Sequence, residues 1–271
     1  MIDFLQINLR KAFIAAVELN KQVSELKEYV VLASETYNFK GRVRSLPRMS
    51  QSISHPNPRA AIICSRDLNI IKIEKLTTRD CAVGLLQRGG KKVLIASIYL
   101  DIKMSVVQDW LVSLVNFARK KKYSLLIGMD SNSHSVLYGH ESNNRGEDLE
   151  GFIVGNGMKV ENIGLRPTFE TFRSGLHISS IIDVTLTLGM RDPIENWRVE
   201  EGFNGSDHNT IRFNVNMSKS KLKEKTRCWN SANWAVFQDR LKESKFFFPE
   251  VINEKKLDKM VSSLYLSLIH I

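Results

Sequence analysis

The chain has 271 residues, of which 43% are hydrophobic, and its 39 lysines and arginines exceed its 29 acids to give a net charge of +10. It has no apolar stretch near the roughly 18 residues that span a bilayer, no secretory signal, and three cysteines without zinc-site spacing. These features exclude a membrane protein and a cysteine zinc site, and they predict a soluble intracellular protein whose charge favours a polyanionic partner such as nucleic acid.

Strand-like and helix-like segments recur along the first 215 residues. The predicted strands are residues 2–8, 29–34, 60–64, 68–76, 81–86, 93–99, 124–129, 178–188 and 210–215, and the predicted helices are residues 12–26, 105–119 and 149–155. A polar loop is predicted at residues 38–59. Strands outnumber helices, whereas a doubly wound parallel sheet needs a helix after nearly every strand. We therefore predict a two-sheet α/β sandwich.

Polar side chains stand at the ends of several predicted strands, and strand ends converge on one rim of a sheet. One shared pocket is therefore predicted for Asn8, Glu35, Tyr99, Asp130, Asn132, Asp207 and His208. Each position also has a plain structural alternative. These alternatives are a helix cap for Asn8, a solvated loop for Glu35, a half-buried strand position for Tyr99 and an Asx-turn for residues 130–132.

The acid Asp183 lies within an otherwise apolar predicted strand, where a carboxylate is costly unless it is paired. A nearby imidazole such as His208 would stabilise it. His208 follows Asp207 in a short loop after Gly205, and a carboxylate beside an imidazole suits a metal-associated acid next to a group that transfers protons or polarises phosphate. The alternative is a polar turn before an ordinary strand.

Eight short motifs stand in order along residues 1–216. They are Gln6-Ile7-Asn8, Ser34-Glu35-Thr36-Tyr37, Ser97-Ile98-Tyr99, Gly128-Met129-Asp130-Ser131-Asn132-Ser133-His134-Ser135, Asn144-Arg145-Gly146, Pro167-Thr168-Phe169, Ser180-Ile181-Ile182-Asp183 and Ser206-Asp207-His208. With these motifs the chain resembles the endonuclease/exonuclease/phosphatase superfamily, and more narrowly the apurinic-type endonuclease domain of non-LTR retrotransposon reverse-transcriptase polyproteins. It departs from the DNA-repair members at Arg10, where those enzymes often carry an acid, so a metal role at that position is lost.

The resemblance implies an α/β fold, a four-layer sandwich of two mainly antiparallel β-sheets flanked by helices, as in DNase I. It implies a phosphodiester hydrolase that uses Mg²⁺, with Mn²⁺ as an alternative. The implied metal ligands are Glu35, Asn8 and Asp207. The implied catalytic residues are Asp130, Asn132, His208, Asp183 and Tyr99, and the residues implied to bind the phosphate are Thr168, Ser180 and Ser206.

By the same resemblance, the protein is expected to nick double-stranded DNA in the nucleus and to leave a 3′ hydroxyl that primes reverse transcription. Its partners in a full element would be a fused reverse transcriptase and the element RNA, and no membrane partner is expected. Two other hypotheses stay open. One is a phosphoesterase of the same superfamily that acts on small or lipid substrates, and the other is a catalytically inactive DNA-binding remnant.

Three segments are predicted along the chain. They are an endonuclease/exonuclease/phosphatase domain at residues 1–216, a basic linker at residues 217–228, and a short helical segment at residues 229–271 that leads toward a missing reverse-transcriptase domain. Candidate phosphate contacts are Arg42, Arg44 and Arg48 in the polar loop and Lys120, Lys121 and Lys122 after the second predicted helix. A solvated charged surface is an equal alternative for each of these runs.

Overall fold

A computed structural model describes residues 1–44 and 50–217 of the chain. Its strands are β1 (Ile2–Asn8), β2 (Tyr29–Ser34), β3 (Asn38–Phe39), β4 (Arg42–Val43), β5 (Ser50–Ser54), β6 (Ala60–Ser65), β7 (Asn69–Lys72), β8 (Cys81–Arg88), β9 (Lys91–Tyr99), β10 (Ser124–Asp130), β11 (Lys159–Val160), β12 (Phe169–Arg173), β13 (Leu176–Ser180), β14 (Asp183–Leu188), β15 (Ile194–Val199) and β16 (Ile211–Val215). Its helices are α1 (Phe13–Ser24), α2 (Asp109–Lys121) and α3 (Asn144–Gly155), and 3-10 turns cover Glu74–Leu76 and Val136–Tyr138. None of the described helices is long and apolar enough to cross a membrane.

Two six-stranded sheets contain most of these strands. The first sheet has the order β15-β16-β1-β2-β6-β5, and the second has the order β11-β14-β10-β9-β8-β7. Within the described residues each sheet contains one parallel pairing, β1 with β2 and β9 with β10, while its other pairings are antiparallel. The prediction of two mainly antiparallel sheets is confirmed.

The two sheets pack face to face, and helices cover their outer faces. The core between the sheets includes Leu126 together with Phe4 and Phe213, whose rings stack with centroids 5.2 Å apart. Helix α1 buries Leu19 against the first sheet, while α2 buries Leu114 against the outer face of the second sheet, which α3 also covers. The order helix, sheet, sheet, helix confirms the predicted four-layer α/β sandwich.

Polar side chains also join the two sheets across this core. Gln6 on β1 donates from Nε2 to backbone carbonyls on β10 and β14 at 3.3 Å each, and its Oε1 accepts from the Thr185 hydroxyl at 2.9 Å. A Cβ on Gly128 would lie 2.9 Å from Gln6 Oε1 and 2.7 Å from Leu32 Cδ1. The sheets therefore approach too closely at Gly128 for any side chain, and the buried amide of Gln6 has partners for both of its polar atoms.

The predicted strand at residues 178–188 is in fact two strands. The Thr168 hydroxyl accepts the backbone N–H groups of Ile182 and Asp183, each at 3.0 Å. Those two N–H groups are therefore not available to continue a hairpin ladder, and the chain leaves the β12–β13 hairpin after Ser180 before β14 begins. Ser180 and Asp183 are predicted as polar positions within one strand, although the break lies between them.

Two further segments differ from their predictions. The predicted polar loop at residues 38–59 contains β3, β4 and also β5, which pairs with β6 at the edge of the first sheet. Helix α3 begins at Asn144 rather than at residue 149, because the Asn143 side chain caps it by accepting the Gly146 N–H at 2.7 Å. Both errors arise where polar residues form regular structure that hydrophobic periodicity does not reveal.

Several predictions fall partly or wholly outside the described residues. These are Arg48, most of the predicted linker at 217–228, and the helical segment at 229–271 with Cys228 before it. Met217, the one described residue of the predicted linker, is buried in the core between the sheets. Cys64 and Cys81 are free and buried as predicted, and burial raises the pKa of both thiols.

The close approach at Gly128 predicts that Gly128→Ala destabilises the fold, because the added methyl group would have to displace Leu32 and Gln6. We expect a loss of about 1–3 kcal/mol in the free energy of unfolding, measured by urea denaturation. Gly151→Ala is the matched control, since its added methyl group would meet no atom within 4 Å beyond its chain neighbours and the backbone of its own helix. In helix α3 that alanine should stabilise by about 0.5–1 kcal/mol. Equal stability of Gly128→Ala and the wild type would contradict close packing of the sheets at this point.

Candidate active site

The directions of the strands bring one set of polar residues to a single rim of the sandwich. The carboxyl ends of the parallel pairs lie at this rim, and the amino ends of β14 and β16 lie there too because each runs antiparallel to its neighbour. The registers place Asp130 opposite both Tyr99 and Asp183. The residues gathered at the rim are Asn8, Glu35, Tyr99, Asp130, Asn132, Asp183, Asp207 and His208.

Asn8 ends β1 and reaches across to the second sheet. Its Nδ2 donates to Asp130 Oδ2 at 2.7 Å and lies 3.4 Å from Glu35 Oε2, while its Oδ1 accepts from the Arg10 N–H at 2.7 Å. The residue before helix α1 is Ala12, so Asn8 is not the cap of that helix. Because Asn8 is buried and both of its side-chain polar atoms have partners, its orientation is fixed.

Glu35 follows β2 in the left-handed backbone region, with φ +44°, which is uncommon outside glycine. Its N–H donates to the Arg59 carbonyl at 2.6 Å, and its Oε1 lies 3.1 Å from Lys11 Nζ. Asp207 pairs with Arg10 Nε at 3.5 Å and makes no hydrogen bond or ion pair with Glu35 in the described part of the chain. The side chains of Glu35 and Asp207 are 20% and 17% exposed, so both acids reach solvent.

Two groups of atoms at the rim could hold a metal ion. Asn8 and Glu35 are neighbours that carry an amide and a carboxylate oxygen, which are the hard donors that Mg²⁺ prefers. The Asn8 atom that faces Glu35 Oε2 is Nδ2, and Oδ1 would have to leave the Arg10 N–H to join a cation there. Asp130, Asp183 and His208 form a second group, with one ligand atom of each within 4.8 Å of the others. In this second group the imidazole already donates to Asp183 and carries positive charge, which opposes cation binding. The residues fit a divalent cation, and the solvent-accessible Glu35 carboxylate fits it better than the second group.

Asp183 and His208 form a buried pair, which is the contact expected from the sequence. His208 Nδ1 lies 2.8 Å from Asp183 Oδ2, and the Phe169 ring packs edge-on against the imidazole at 5.0 Å. Burial lowers the pKa of His208, but the charges of Asp183, Asp130 and Asp207 outweigh it and raise that pKa to about 9. The imidazole is therefore charged at neutral pH, with Nδ1 held by Asp183 and with no hydrogen bond to Nε2 from the described residues.

Asp130 is enclosed and accepts two hydrogen bonds from neutral donors. One comes from Asn8, and the other comes from the Asn132 N–H to Oδ1 at 3.2 Å. The second bond closes an Asx-turn at residues 130–132, which the sequence analysis gave as the structural alternative to a site. Asp130 therefore forms the turn and also lies in the candidate site. Burial and the nearby Asp183 carboxylate raise the pKa of Asp130, although the His208 charge opposes this. Asp130 is therefore a stronger base than an exposed aspartate.

Tyr99 ends β9 beside Asp130 and is half-buried beneath Arg59. The Arg59 guanidinium lies 4.9 Å from the centroid of the Tyr99 ring and forms ion pairs with Asp80 and Asp101. Burial, and then the Glu35 carboxylate, raise the pKa of Tyr99 to about 12. The Tyr99 hydroxyl therefore stays neutral at physiological pH, where it can donate a hydrogen bond.

The three predicted phosphate-binding residues, Thr168, Ser180 and Ser206, also lie at the rim. The hydroxyl groups of Thr168 and Ser206 form hydrogen bonds with backbone atoms. The Ser206 hydroxyl donates to the Asn8 carbonyl at 2.7 Å and accepts from the His208 N–H at 3.2 Å. The Thr168 hydroxyl holds the start of β14, and Ser180 is buried at the base of the β12–β13 hairpin. Thr168 and Ser206 thus fix the backbone segments that carry the acids and the imidazole.

Arg145 has a structural function that the sequence showed only as part of a motif. Its guanidinium donates over 2.5–3.3 Å to four backbone carbonyls, which are those of Leu100, Asp101, Met104 and Ser131. The Leu100 carbonyl also accepts from Asn132 Nδ2 at 3.1 Å. The next residue, Gly146, must lack a side chain, because a Cβ at this position would lie 1.6 Å from the His134 carbonyl oxygen. Arg145 therefore ties together the loops that follow β9 and β10, behind Asp130 and Asn132.

The candidate basic residues differ in their distance from the rim. Arg42 and Arg44 are exposed on the β3–β4 hairpin, which follows Glu35 closely in the chain. Lys120, Lys121 and Lys122 precede the start of β10, whose other end carries Asp130, so they lie roughly 20 Å from the rim along the strand. The hairpin arginines can therefore reach a substrate held at the rim more readily than the lysine run.

The protein belongs to the DNase I-like fold class. Its two mixed sheets pack face to face, and acids, an amide and a histidine lie at one rim of the sandwich. A family model described as endonuclease-reverse transcriptase matches residues 93–212. A 115 kDa protein of the type-1 retrotransposable element R1DM of Drosophila melanogaster is 24% identical over the whole chain, which spans 28% of that protein.

Solved structures extend this comparison. The endonuclease domain of TRAS1, a telomere-specific non-LTR retrotransposon, has 28% identity and a TM-score of 0.70 over 81% of this chain and 100% of its own. An AP endonuclease from Archaeoglobus fulgidus shares the fold, with 12% identity and a TM-score of 0.52 over 80% of this chain and 100% of its own. The chain is similar to endonucleases of the endonuclease/exonuclease/phosphatase superfamily, and its homologues include endonuclease domains of non-LTR retrotransposons.

The charge on His208 predicts that stability depends on pH. Its pKa is raised from 6.5 to about 9 in the folded protein, so its stabilising contribution is complete below pH 6.5 and is lost as the pH rises through about 9. We expect the free energy of unfolding, measured by urea denaturation in EDTA, to fall across this window. His208→Ala should remove most of the fall, whereas His177→Ala, at an exposed histidine of β13, should not. A flat profile for the wild type would contradict a raised pKa of His208 in the folded protein.

The carbonyl contacts of Arg145 predict a large stability loss for Arg145→Ala, because four acceptors lose their donor. We expect roughly 2–4 kcal/mol, measured by urea denaturation, with partial recovery in Arg145→Lys. Arg198→Ala is the control, since the half-exposed Arg198 side chain pairs within the described residues only with Asn196 and Glu200, a surface contact worth about 0–1 kcal/mol. If Arg145→Ala were as stable as Arg198→Ala, the proposed role of Arg145 in joining the loops would be wrong.

Proposed function

We propose that the chain is a magnesium-dependent endonuclease that hydrolyses one phosphodiester bond in double-stranded DNA and leaves a 3′ hydroxyl. The observation that carries this proposal is the enclosed Asp130 carboxylate, set between Asn8 of the first sheet and the charged Asp183–His208 pair. A base of raised pKa beside a cationic imidazole suits the addition of water to a phosphate diester. The homology to retrotransposon endonuclease domains supports DNA as the substrate.

Asp130 is the proposed base. It accepts a proton from the attacking water, whose oxygen bonds to phosphorus as the bond from phosphorus to the 3′ oxygen breaks. The leaving 3′ oxygen takes up a proton from solvent and becomes the 3′ hydroxyl. The raised pKa of Asp130 favours this step, because a catalytic base works best when its pKa lies near the working pH. Asn8 fixes the carboxylate, and Asn132, held by the Leu100 carbonyl, is proposed to position the water and the phosphate.

His208 is the proposed phosphate-binding cation. Asp183 holds Nδ1, which leaves the Nε2–H to donate to a non-bridging phosphate oxygen and to stabilise the negative charge that grows in the transition state. Tyr99 is proposed as a neutral donor beside it. The remaining hydrogen bonds around the phosphate are assigned to Thr168, Ser180 and Ser206.

Mg²⁺ is the proposed cation, with Mn²⁺ as an alternative. Glu35 and Asn8 would hold it, and Asp207 is the third proposed ligand even though it pairs with Arg10 in this structure. When bound, a divalent cation supplies positive charge against the phosphate and leaving oxygens. The partial exposure of Glu35 and Asp207 supports this placement, because a cation can reach both acids from solvent.

The wider context of the proposed activity is a mobile element. We propose residues 1–216 as the catalytic domain and the following residues as the connection to a fused reverse transcriptase, which would act with the element RNA. The fact that the chain spans 28% of its retrotransposon relative supports this arrangement. Nicking of chromosomal DNA would take place in the nucleus, and the net charge of +10 supports binding to a polyanion.

Conversion of supercoiled plasmid to open circle tests the proposal. The wild type should nick in the presence of Mg²⁺ and stop in EDTA. Asp130→Asn and His208→Ala should each slow nicking by at least about 100-fold, because each removes a group from the proposed proton transfer or charge stabilisation. Asp130→Asn keeps an oxygen acceptor for Asn8, so circular dichroism and thermal unfolding should show a folded protein.

Val154→Ala is the control variant for this assay, since Val154 is 68% exposed on helix α3, away from the rim. Its nicking rate should match that of the wild type. A folded wild type that hydrolyses an inositol phosphate but leaves plasmid intact would favour the small-molecule phosphoesterase. A folded wild type that binds DNA without hydrolysing either substrate would favour the inactive remnant.

A further inference from the structure

An exposed aromatic and basic surface lies beside Glu35 and takes no part in the proposed chemistry. We call it the aromatic shelf, and it consists of Phe13, Tyr37, Phe39, Lys40 and Arg44. Phe13 and Phe39 are 55% and 52% exposed, and the Phe13 ring meets the Tyr37 ring edge-on at 5.5 Å. Lys40 Nζ and Arg44 Cζ lie 5.6 and 5.7 Å from the centroid of the Phe39 ring. The aromatic shelf therefore consists of a pair of rings and of a third ring with two cations beside it.

The aromatic shelf adjoins the candidate active site through two short segments of chain. Tyr37 is two residues from Glu35, and Phe13 is two residues from Lys11, whose amine lies 3.1 Å from the Glu35 carboxylate. The Arg44 N–H donates to the Tyr37 carbonyl at 2.9 Å and so holds the β3–β4 hairpin against Tyr37. A nucleic acid strand whose phosphate lies beside Glu35 would therefore continue across the aromatic shelf.

The charge around the aromatic shelf identifies the chemistry of its partner. No acid occurs between Glu35 and Asp67, and three basic residues of that stretch, Lys40, Arg42 and Arg44, lie on the β3–β4 hairpin or directly after it. An uninterrupted positive segment favours a polyanion over an ordinary protein surface. Exposed rings beside cations are typical of surfaces that bind unpaired nucleotides, where bases stack on aromatic side chains and phosphates meet lysine and arginine. A fully paired duplex stacks its base faces internally and offers none to Phe13 or Phe39.

We propose that the aromatic shelf binds unpaired bases of the DNA strand beside the scissile phosphate, an inference that rests on the proposed endonuclease function. Phe39 and Phe13 stack on the bases, while Lys40 and Arg44 turn from the Phe39 ring to neighbouring phosphates. The distances from these cations to the ring lie near the outer limit of about 6 Å for a cation–π contact, so a base can replace them at the ring face. The preferred substrate is then a duplex with unpaired nucleotides next to the nicking site.

Binding to single strands with and without bases tests the aromatic shelf directly. The probes are a fluorescent oligothymidylate and an abasic oligomer with the same number of phosphates, and the readout is anisotropy in EDTA, where no metal-dependent cleavage occurs. We expect the wild type to bind oligothymidylate roughly tenfold more tightly than the abasic oligomer. Phe39→Ala should remove most of this difference and leave the affinity for the abasic oligomer unchanged.

Matched variants separate stacking from apolar contact and from charge. Phe39→Leu keeps an apolar side chain but loses the aromatic face, so it should behave like Phe39→Ala. Arg44→Ala should weaken binding to both oligomers to a similar degree and reduce the dependence of affinity on salt. Val154→Ala, on the exposed face of helix α3, should change neither affinity.

Three results would overturn this proposal. They are equal affinity of the wild type for the two oligomers, wild-type behaviour of Phe39→Leu, and self-association in sedimentation experiments that Phe39→Ala abolishes. The binding assay does not depend on catalysis, so its failure is separable from failure of the endonuclease. A protein that nicks plasmid but ignores bases would contradict only the aromatic shelf, whereas one that recognises bases but never nicks would contradict only the endonuclease.

Discussion

The hydrogen bond from Asn8 to Asp130 is the contact on which the candidate site depends, because it joins the rims of two separate sheets. The first sheet and its loops supply Glu35, Asp207 and His208, and the second sheet supplies Tyr99 and Asp183. Gln6, two residues before Asn8 and on the same face of β1, makes a similar connection deeper in the core. Gly128 permits the close approach that both side chains need. A site of this kind is therefore a property of the packing of the sheets rather than of any single loop.

The rim contains two enclosed carboxylates whose partners differ. Asp183 faces the charged imidazole of His208, whereas among the described residues Asp130 accepts hydrogen bonds only from the neutral amides of Asn8 and Asn132. A cation stabilises a buried carboxylate far more than an amide does, so the acid with the weaker partners retains the greater tendency to take up a proton. The different partners of the two acids therefore support the proposed roles of His208 as the cation and Asp130 as the base.

Much of the fold and the membership of the rim could be predicted from the sequence, because both follow from local patterns. Apolar strands that end in polar residues predict a sandwich with a shared rim, and ordered motifs predict which residues meet there. The interactions that hold the rim together were not predictable. The Arg145 side chain binds backbone carbonyls, and because every residue has a carbonyl, no sequence pattern identifies these partners. Arg59 binds Glu35 through its own carbonyl and pairs with acids that are distant in the sequence. The β5 strand was missed because its residues are mostly serine and glutamine, which show no apolar alternation.

The structural and functional interpretations of the rim residues prove to be compatible. Asp130 closes an Asx-turn that sets the left-handed conformation of Asn132, and it is also the proposed base. The Thr168 and Ser206 hydroxyls hold backbone at the starts of the segments that carry Asp183 and His208, and they are also proposed to contact the phosphate. When one side chain both builds a loop and serves its chemistry, a truncation removes both contributions together. Only isosteric replacements, which keep the hydrogen bond and change the charge, can separate the chemistry of such a residue from its part in the fold.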